Sequence, residues 1–429
     1  MTPVRHPPLT RNQVRGFWAA WAGWTLDGMD SFLYALVLVP ALTDLLPRSG
    51  IRVEQGSIGF YGSLLFATFL IGWGFAFLWG PVADRFGRVR TLMLTILCYS
   101  LFTFLGSIAA NLWQLALFRL LAGAGIGGEW TLGGVFVAEE WPEARRKQGA
   151  AYMHTGYYVG TFLAAIVNYV IGSRFGWRAV FAVGGTPALL VAFIRCGVRE
   201  PKRWQERVGA LGRRWTARDA FFALFSPEYR RRTVVNATLL LVSMVGLWVG
   251  SVNVPSAITY LATNRGYAAP DAARLASYAT MLLSVGTILG CLLLPVIADR
   301  LGRRGSLALY FALMFACIGL GFGYVYYLKQ SALPWFVACL FLLGVGGANF
   351  AVYTLWLPEQ YHSECRGSAF AFATSFGRFI AAGVTFLVGT GVARMHTIGT
   401  PIAMTSAAFL FGLALLPWAE ETAGKELPI

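Results

Sequence analysis

Residues 81–88 read PVADRFGR, and residues 295–303 read PVIADRLGR. Each stretch follows a long apolar block, and the two begin about 215 positions apart in the chain. A second pair of similar segments runs from Glu140 to Gly149 and from Pro358 to Gly367, at a similar offset. Two echoes at nearly one offset indicate that the chain is built from two repeated halves.

Apolar blocks make up most of both halves. Hydrophobic residues are 57% of the chain and charged residues 13%, whereas a soluble protein of this size carries about 25% charged residues. Blocks of about 18–25 residues cross about 30 Å of hydrocarbon as helices, which satisfy their own backbone hydrogen bonds in lipid. The sequence therefore predicts an all-α membrane protein with twelve transmembrane helices in two six-helix halves. The predicted spans are 17–40, 57–81, 91–110, 113–138, 149–173, 177–197, 233–261, 273–297, 306–328, 334–357, 367–391 and 399–418.

The distribution of Lys and Arg predicts the orientation. These residues cluster at the N-terminus and in the loops after spans two, four, six and eight, and the alternate loops carry at most two each. The positive-inside rule then places both termini in the cytoplasm, and we expect the membrane to be a bacterial inner membrane. The predicted domains are a cytoplasmic segment 1–16, a first bundle 17–197, a cytoplasmic linker 198–232, a second bundle 233–418 and a cytoplasmic tail 419–429.

Several other classes of protein are disfavoured. The net charge of +15 lies in short loops between apolar blocks, so no basic soluble domain is available for a nucleic acid. The cysteines are scattered and form no metal-ligand spacing. There is no HExxH motif and no Ser–His or Cys–His arrangement. We therefore predict a protein that is not an enzyme and that uses no cofactor or metal.

The duplicated loops resemble a known family. Asp-Arg-x-Gly-Arg after the second helix of each half is similar to the loop signature of the major facilitator superfamily. Within that superfamily, WTLDGMDSF at 24–32 and RLLAGAGIGGEW at 119–130 resemble the sialate/monocarboxylate:proton symporter group. This resemblance covers residues 12–204. In the second half, the segment from Arg366 to Arg378 resembles the aromatic-acid:proton symporters more loosely. Sialic-acid permeases commonly carry two extra central helices, which the predicted linker lacks, so a smaller organic acid is favoured.

Charged residues within predicted spans are candidates for function, because a charge in hydrocarbon needs a partner, water or a role. Asp27 and Asp30 lie near the middle of span one, three residues apart and on nearly one helix face. Two carboxylates in one cavity repel when both are charged, so one of them can load and release a coupling proton. The alternative is that one caps the bend at Gly28 or pairs with an Arg.

Arg378, near the middle of span eleven, is the deep cation of the second half. Its planar, permanently charged fork suits a carboxylate, so we predict a substrate anchor. An ion pair with Asp27 or Asp30 across the two halves is the alternative, and the two interpretations are compatible.

Span four carries Arg119 and Glu129, about 15 Å apart along the helix. Glu129 is a candidate second proton site or inner-gate partner, and a buried structural pair is its rival interpretation. Arg119 is a substrate-binding candidate for which a structural or proton-tuning role is the stronger interpretation. His154 is interpreted as a wetted residue near a helix end rather than a proton relay.

Two further sets of residues complete the prediction. The first set consists of cytoplasmic ion pairs that break when the halves rock. The second set consists of side chains that line the cavity. The gating candidates are Asp84, Arg88, Glu140, Asp299, Arg303 and Glu359. The lining candidates are Asn253, Asn349, Tyr157 and Tyr353, with Trp24 and Trp356 as weaker ones.

These residues and the resemblance together predict proton-coupled symport of a small organic anion by alternating access. The expected anion is a monocarboxylate such as lactate, or a sialic or aromatic acid. The predicted partners are the lipid bilayer, the anion and protons, and members of the superfamily are usually monomeric. A proton-driven exporter and a neutral-sugar carrier are alternatives of the same fold. A non-transporting sensor is disfavoured, because such proteins usually carry a soluble signalling domain.

Overall fold

The computed structural model describes residues 9–79, 88–127, 130, 134, 137, 141–187, 189, 221–329, 331–362, 365–425 and 428. The first half begins with a capping box, in which the hydroxyl of Thr10 accepts from the backbone N–H of Gln13, and the Gln13 side chain accepts from the N–H of Thr10. Its described helices are α1 (Arg11–Arg48), α2 (Gln55–Gly74), α3 (Arg88–Gly106), α4 (Leu112–Gly125), α5 (Glu143–Val167) and α6 (Trp177–Val183). A 3₁₀ turn, Phe75–Leu78, extends α2, and a π-helical turn, Asn168–Gly172, extends α5.

In the second half, one long helix continues through a sharp turn of the chain. The described helices of this half are α7 (Arg230–Gly250), α8 (Val254–Thr263), α9 (Ala269–Gly323), α10 (Ala332–Gly347), α11 (Asn349–Trp356), α12 (Arg366–Met395), α13 (Gly399–Thr405) and α14 (Ala407–Leu415). Helix α9 contains two of the predicted spans, joined at Gly302, where φ is +71°. This left-handed conformation is available to glycine at little cost, and it turns the chain back at the repeated loop motif.

The helices have the length and composition of membrane spans. Seven helices among the described residues are long and apolar enough to cross a membrane, and one of them runs through both spans of α9. Two shorter apolar helices, Met93–Gly106 and Leu112–Gly125, belong to the predicted third and fourth spans. The prediction of an all-α multi-pass membrane protein is confirmed.

The bundle has two ends, and we name each of them by the parts of the chain that lie there. The terminal face is the end at which α5 and α7 begin, and there Phe17 near the start of α1 packs on Trp141 at 5.1 Å between ring centroids. Residues 416–425 also lie at this face, where Arg232 pairs with Glu420. The opposite face is the end of the bundle at which α1 and α5 end. There Arg178 pairs with Asp44 at 3.0 Å.

The two halves are in contact near the opposite face. Helices α2 and α12 approach so closely that a Cβ atom on Gly59 would lie 2.5 Å from a methyl carbon of Val392. Beside them, α5 meets α9, where the Asn168 side-chain amide donates to the Ser277 hydroxyl at 3.0 Å. The halves are therefore closed against each other at this end.

Contacts between the halves also occur toward the terminal face. Lys147 at the start of α5 forms an ion pair with Asp299 of α9. Deeper in the bundle, the Tyr158 hydroxyl donates to the carbonyl of Gly347 at 3.0 Å. Because the halves meet toward both ends, the charged residues at the centre are shielded from solvent.

Glycine allows α1 and α5 to lie unusually close together. A Cβ atom on Gly28 would lie 2.0 Å from the carbonyl oxygen of Tyr157, and one on Gly160 would lie 1.8 Å from that of Thr25. Small residues at a membrane helix interface permit such backbone contact. This packing positions the acidic residues of α1 beside the aromatic residues of α5.

Most of the predicted linker, 198–220, lies outside the described residues. The remainder, 221–229, forms turns on the terminal face, with Phe221 and Phe225 packed on Phe372 of α12. Helix α7 begins at Arg230, three residues before the predicted boundary at 233.

Candidate functional site

Arg378 lies at the interface between the halves. It is 2% exposed and sits twelve residues into α12. Its guanidinium carbon lies 4.1 Å from the ring centroid of Trp73, at the end of α2 in the first half. A cation over a Trp ring is attracted by the ring quadrupole. Asp27 and Tyr157, also in the first half, are close enough to act electrostatically on the Arg378 charge.

Aromatic rings pack in a row that begins at Trp73, the ring over which Arg378 lies. Trp24 lies 4.8 Å from Tyr157 between ring centroids, Tyr157 lies 6.1 Å from Trp248, and Trp248 lies 5.3 Å from Trp73. Trp248, on α7, is the member supplied by the second half. We call Asp27, Tyr157, Trp73, Trp248 and Arg378 the central cluster.

The central cluster contains an unsatisfied polar group. Among the described residues, no acceptor bonds the Nε of Arg378, although this atom is buried. A buried donor without an acceptor costs about 1–3 kcal/mol, so an anionic acceptor placed there would be stabilised. Arg378 therefore combines a full charge, an available donor and an apolar surround.

Asp30 forms a separate arrangement inside the first half. Its carboxylate lies 3.6 Å from an Nη of Arg119 in α4 and accepts a hydrogen bond from the Thr103 hydroxyl in α3. The Arg119 guanidinium lies over the rings of Tyr34 and Phe69, at 4.9 and 4.1 Å from their centroids. These partners all belong to the first half. Arg119 therefore holds Asp30 rather than facing the second half.

The neighbours of Asp27 and Asp30 thus differ more than the spacing of the two residues predicts. Both carboxylates are fully buried and both act electrostatically on Tyr157, but Asp30 is oriented toward α3 and α4, whereas Asp27 acts on Arg378. Three residues along a helix correspond to 300° of rotation and about 4.5 Å of rise, which is enough to give the two acids different neighbours. Glu129, the third predicted proton site, lies outside the described residues.

The other predicted lining residues are mostly held by their own half. The Tyr353 hydroxyl is 2.9 Å from that of Ser243, and the Asn349 side-chain amide donates to the carbonyl of Gly346 at 2.9 Å. Asn253 lies half-buried at the bend between α7 and α8. Tyr157 is the lining candidate that the structure brings into the central cluster.

The interpretation of His154 as a wetted helix-end residue was wrong. It is 2% exposed, and its imidazole Nδ1 lies 3.4 Å from the hydroxyl of Thr354 in the second half. Helix α5 starts at Glu143, six residues before the predicted fifth span. This places His154 eleven residues inside the helix rather than five.

The gating candidates fall into two groups. Arg303 donates to both carboxylate oxygens of Glu359, at 3.0 and 2.7 Å, and this buried pair lies within the second half. Asp299 instead reaches the first half, where it pairs with Lys147. Asp84, Glu140 and the side chain of Arg88 lie outside the described residues.

Sequence reasoning missed several members of these sites. Trp73 and Trp248 received no role, because aromatic residues in membrane helices most often pack or form interface belts. Thr103 and Thr354 were missed as well, and so was Glu421, whose carboxylate accepts from the backbone N–H groups of Arg303 and Arg304 beside the Arg303–Glu359 pair. The spacing of these residues carries no signal, since each acts through helices that are distant in the chain. Trp356, a weak candidate, donates instead to the backbone carbonyl of Glu420 at 2.9 Å.

Comparison with known proteins identifies the class. A family model described as the Major Facilitator Superfamily matches residues 20–385. Since the match covers most of the chain, the protein belongs to the major facilitator superfamily, and it is a membrane transporter rather than an enzyme. The predicted family and fold class are confirmed.

Similar proteins carry small organic compounds. A probable 4-methylmuconolactone transporter of Cupriavidus pinatubonensis is 30% identical over 94% of this chain and 90% of its own length. The sialic acid transporter NanX of Escherichia coli is 33% identical over 45% of this chain and 46% of its own length. A partially occluded, inward-open structure of the xylose transporter XylE from E. coli superposes with a TM-score of 0.73, covering 97% of this chain and 100% of that one at 18% identity. That likeness concerns the fold alone.

Proposed function

We propose that this protein moves a small planar organic acid across a bacterial inner membrane together with protons, by alternating access around the central cluster. The observation that carries the proposal is Arg378, a buried arginine between the halves whose Nε lacks an acceptor among the described residues. A carboxylate matches the charge and the geometry of that fork. The names of the similar transporters support an organic acid or a related compound.

The aromatic walls favour a flat, unsaturated substrate body. Trp73 offers a ring face to Arg378, and further rings follow from it in a row, namely Trp248, Tyr157 and Trp24. Aromatic pairs gain about 0.5–1.5 kcal/mol of binding energy beyond simple burial. A substrate with a ring or a diene gains this energy, and a polyhydroxylated substrate does not. We therefore expect an aromatic or unsaturated acid to bind better than lactate or sialic acid.

Asp30 is the proposed main site of the coupling proton. It is buried beside Arg119 and Thr103 within one half, where its environment stays intact when the halves rock. Asp27 connects the two sites, because it lies one helical turn from Asp30 and acts electrostatically on Arg378. Protonation of either acid changes the net charge beside the substrate, which links proton binding to anion binding.

The terminal face is proposed to be cytoplasmic. The first three residues of α7, at this face, are Arg230, Arg231 and Arg232, and Arg300 and Arg304 flank the turn within α9. The positive-inside rule relates such short basic loops to the cytoplasm.

The test is uptake by the purified protein in liposomes, with and without an inward proton gradient. Labelled benzoate, cis,cis-muconate, lactate and sialic acid serve as the probes. The proposal expects gradient-stimulated accumulation of benzoate or muconate that exceeds accumulation of the other two. No gradient-dependent uptake of any acid by folded protein would overturn it, and gradient-driven extrusion would identify an exporter.

A further inference from the structure

A layer of side chains from both halves lies just below the central cluster, on its terminal side. Trp24 precedes Asp27 by three residues in α1, and His154 precedes Tyr157 by three residues in α5. Both helices begin at the terminal face, so these side chains lie about 4.5 Å nearer to that face than the central cluster. We call Trp24, Trp130, His154, Phe350 and Thr354 the bridging layer.

The bridging layer contains hydrogen bonds between the halves. The indole Nε1 of Trp130, in the first half, donates to the hydroxyl oxygen of Thr354 in the second half at 3.0 Å. The same oxygen lies 3.4 Å from Nδ1 of His154. A threonine hydroxyl has one donor and two acceptor positions. It can therefore accept from Trp130 and donate to His154 at once.

Ring packing surrounds these polar contacts. Trp130 stacks on Trp24 at 5.6 Å between centroids and lies 5.8 Å from Phe350 of the second half. The ring of His154 lies parallel to that of Phe350, at 6.3 Å. All five side chains are at least nine-tenths buried, so water does not compete for the Thr354 hydroxyl.

We propose that the Trp130–Thr354–His154 bridge is the inner gate of the transport cycle, which closes the central cluster off from the terminal face. Alternating access requires the halves to separate at one face while they stay closed at the other. Separation at the terminal face parts Thr354 from both of its partners. The strength of the bridge therefore sets the balance between closed and terminal-face-open states.

Thr354→Val tests the gate, because valine keeps the shape of threonine and removes its hydroxyl. Thr354→Ser is the matched control that keeps the hydroxyl. Spin labels on cysteines introduced at the exposed positions Arg90 and Arg300 report the distance between the halves at the terminal face, in a background with the six native cysteines replaced.

Thr354→Val is expected to raise the ratio of the long-distance to the short-distance population at least about fivefold, which corresponds to about 1 kcal/mol, the net value of one of the two hydrogen bonds that the hydroxyl makes. Thr354→Ser should resemble the parent protein. Equal distance distributions for Thr354→Val and Thr354→Ser would overturn the proposal.

Trp130→Phe provides an independent variant if Thr354→Val does not fold. It removes the donor and keeps an aromatic ring, and the same shift toward the long distance is expected. Trp356→Phe is its control, because Trp356 donates to Glu420 within the second half. Equal distributions for the two Trp variants would contradict the gate. The measurement requires no substrate, so it is decisive even if the proposed uptake of organic acids fails.

Discussion

Two acid–arginine arrangements lie one helical turn apart on α1, and they differ in the half that supplies the arginine. Asp30 pairs with Arg119 of α4, 3.6 Å away and in the same half. Asp27 acts electrostatically on Arg378 of α12, in the other half. The first arrangement includes a hydrogen bond from Thr103, whereas the second is bounded by aromatic rings.

This difference relates each arrangement to motion. A pair within one half keeps its geometry through the cycle, so it can bind and release a proton in every state. A cluster shared by two halves is assembled when they approach and is taken apart when they separate. In the proposed transport cycle, substrate bound in the central cluster would therefore be exposed by the same movement that changes access.

The largest expected effect is that of Arg378→Ala. Removal of the anchor leaves a substrate carboxylate buried without a partner, a loss of about 2–5 kcal/mol, so uptake of benzoate should fall at least about 30-fold. Initial rates in liposomes measure this effect. Arg394→Ala, an exposed position on the same helix, is the control. Normal acid uptake by Arg378→Ala would make this arginine purely structural.

Asp30→Asn should separate coupling from transport. The amide keeps the size of the side chain but cannot cycle a proton, so gradient-driven accumulation is expected to disappear while exchange of labelled for unlabelled acid persists within about threefold. Both measurements use the same liposomes. Exposed Asp271→Asn controls for the loss of a carboxylate. Accumulation at the parent level in Asp30→Asn would remove Asp30 from the coupling mechanism.

Trp248→Leu should distinguish substrates by shape. Loss of the ring from the central cluster is expected to raise the half-saturating concentration of benzoate about three- to tenfold, with little change for lactate. Competition with labelled benzoate gives both values. Trp335→Leu, at an exposed position, is the control. Equal effects on the two acids would mean that Trp248 packs helices and does not contact substrate.

Gly28→Ala should disturb the α1–α5 packing that positions Asp27. Its Cβ atom would meet the Tyr157 carbonyl oxygen at 2.0 Å, and overpacking of this kind costs about 1–3 kcal/mol. A decrease of about 5 °C in the unfolding temperature in detergent is expected. Gly383→Ala, with nothing within 4 Å, should leave that temperature nearly unchanged, and equal decreases would contradict the close-packing argument.

The smallest expected effect concerns Glu421, on the terminal face. Partial burial acts to raise its pKa, but backbone N–H donors from Arg303, Arg304, Ala423 and Thr422 hold the pKa below its ordinary value. Ionised Glu421 therefore stabilises the folded protein above the unfolded-state pKa of about 4.3. This stability is lost as the pH falls through the lower folded-state pKa.

Glu421→Gln should accordingly lower the unfolding temperature by about 1 °C at pH 7, and the difference should vanish in strong acid. Exposed Glu228→Gln is the control. A difference that persists below the folded-state pKa would contradict the hydrogen-bond explanation.

The sequence was sufficient to identify many residues of the site, but it was not sufficient to predict which of them are partners. Asp27, Asp30, Arg119 and Arg378 were identifiable because charges are rare in apolar spans. Their pairing depends on helix rotation, and a rotation of one residue changes a side chain's direction by 100°. Asp27 and Asp30 therefore have different arginine neighbours, although their spacing puts them on nearly one helix face.

The sequence by itself determined the class of protein and identified the charged residues of its apolar segments, because hydrophobic length and local repeats are properties of the chain alone. The tertiary structure decided that Arg119 belongs to Asp30, that Trp73 lies under Arg378, and that Thr354 links Trp130 to His154. Each of these contacts joins different helices, and the last two join different halves. Such contacts depend on how glycine-lined helices approach each other in three dimensions, which no local pattern of residues specifies.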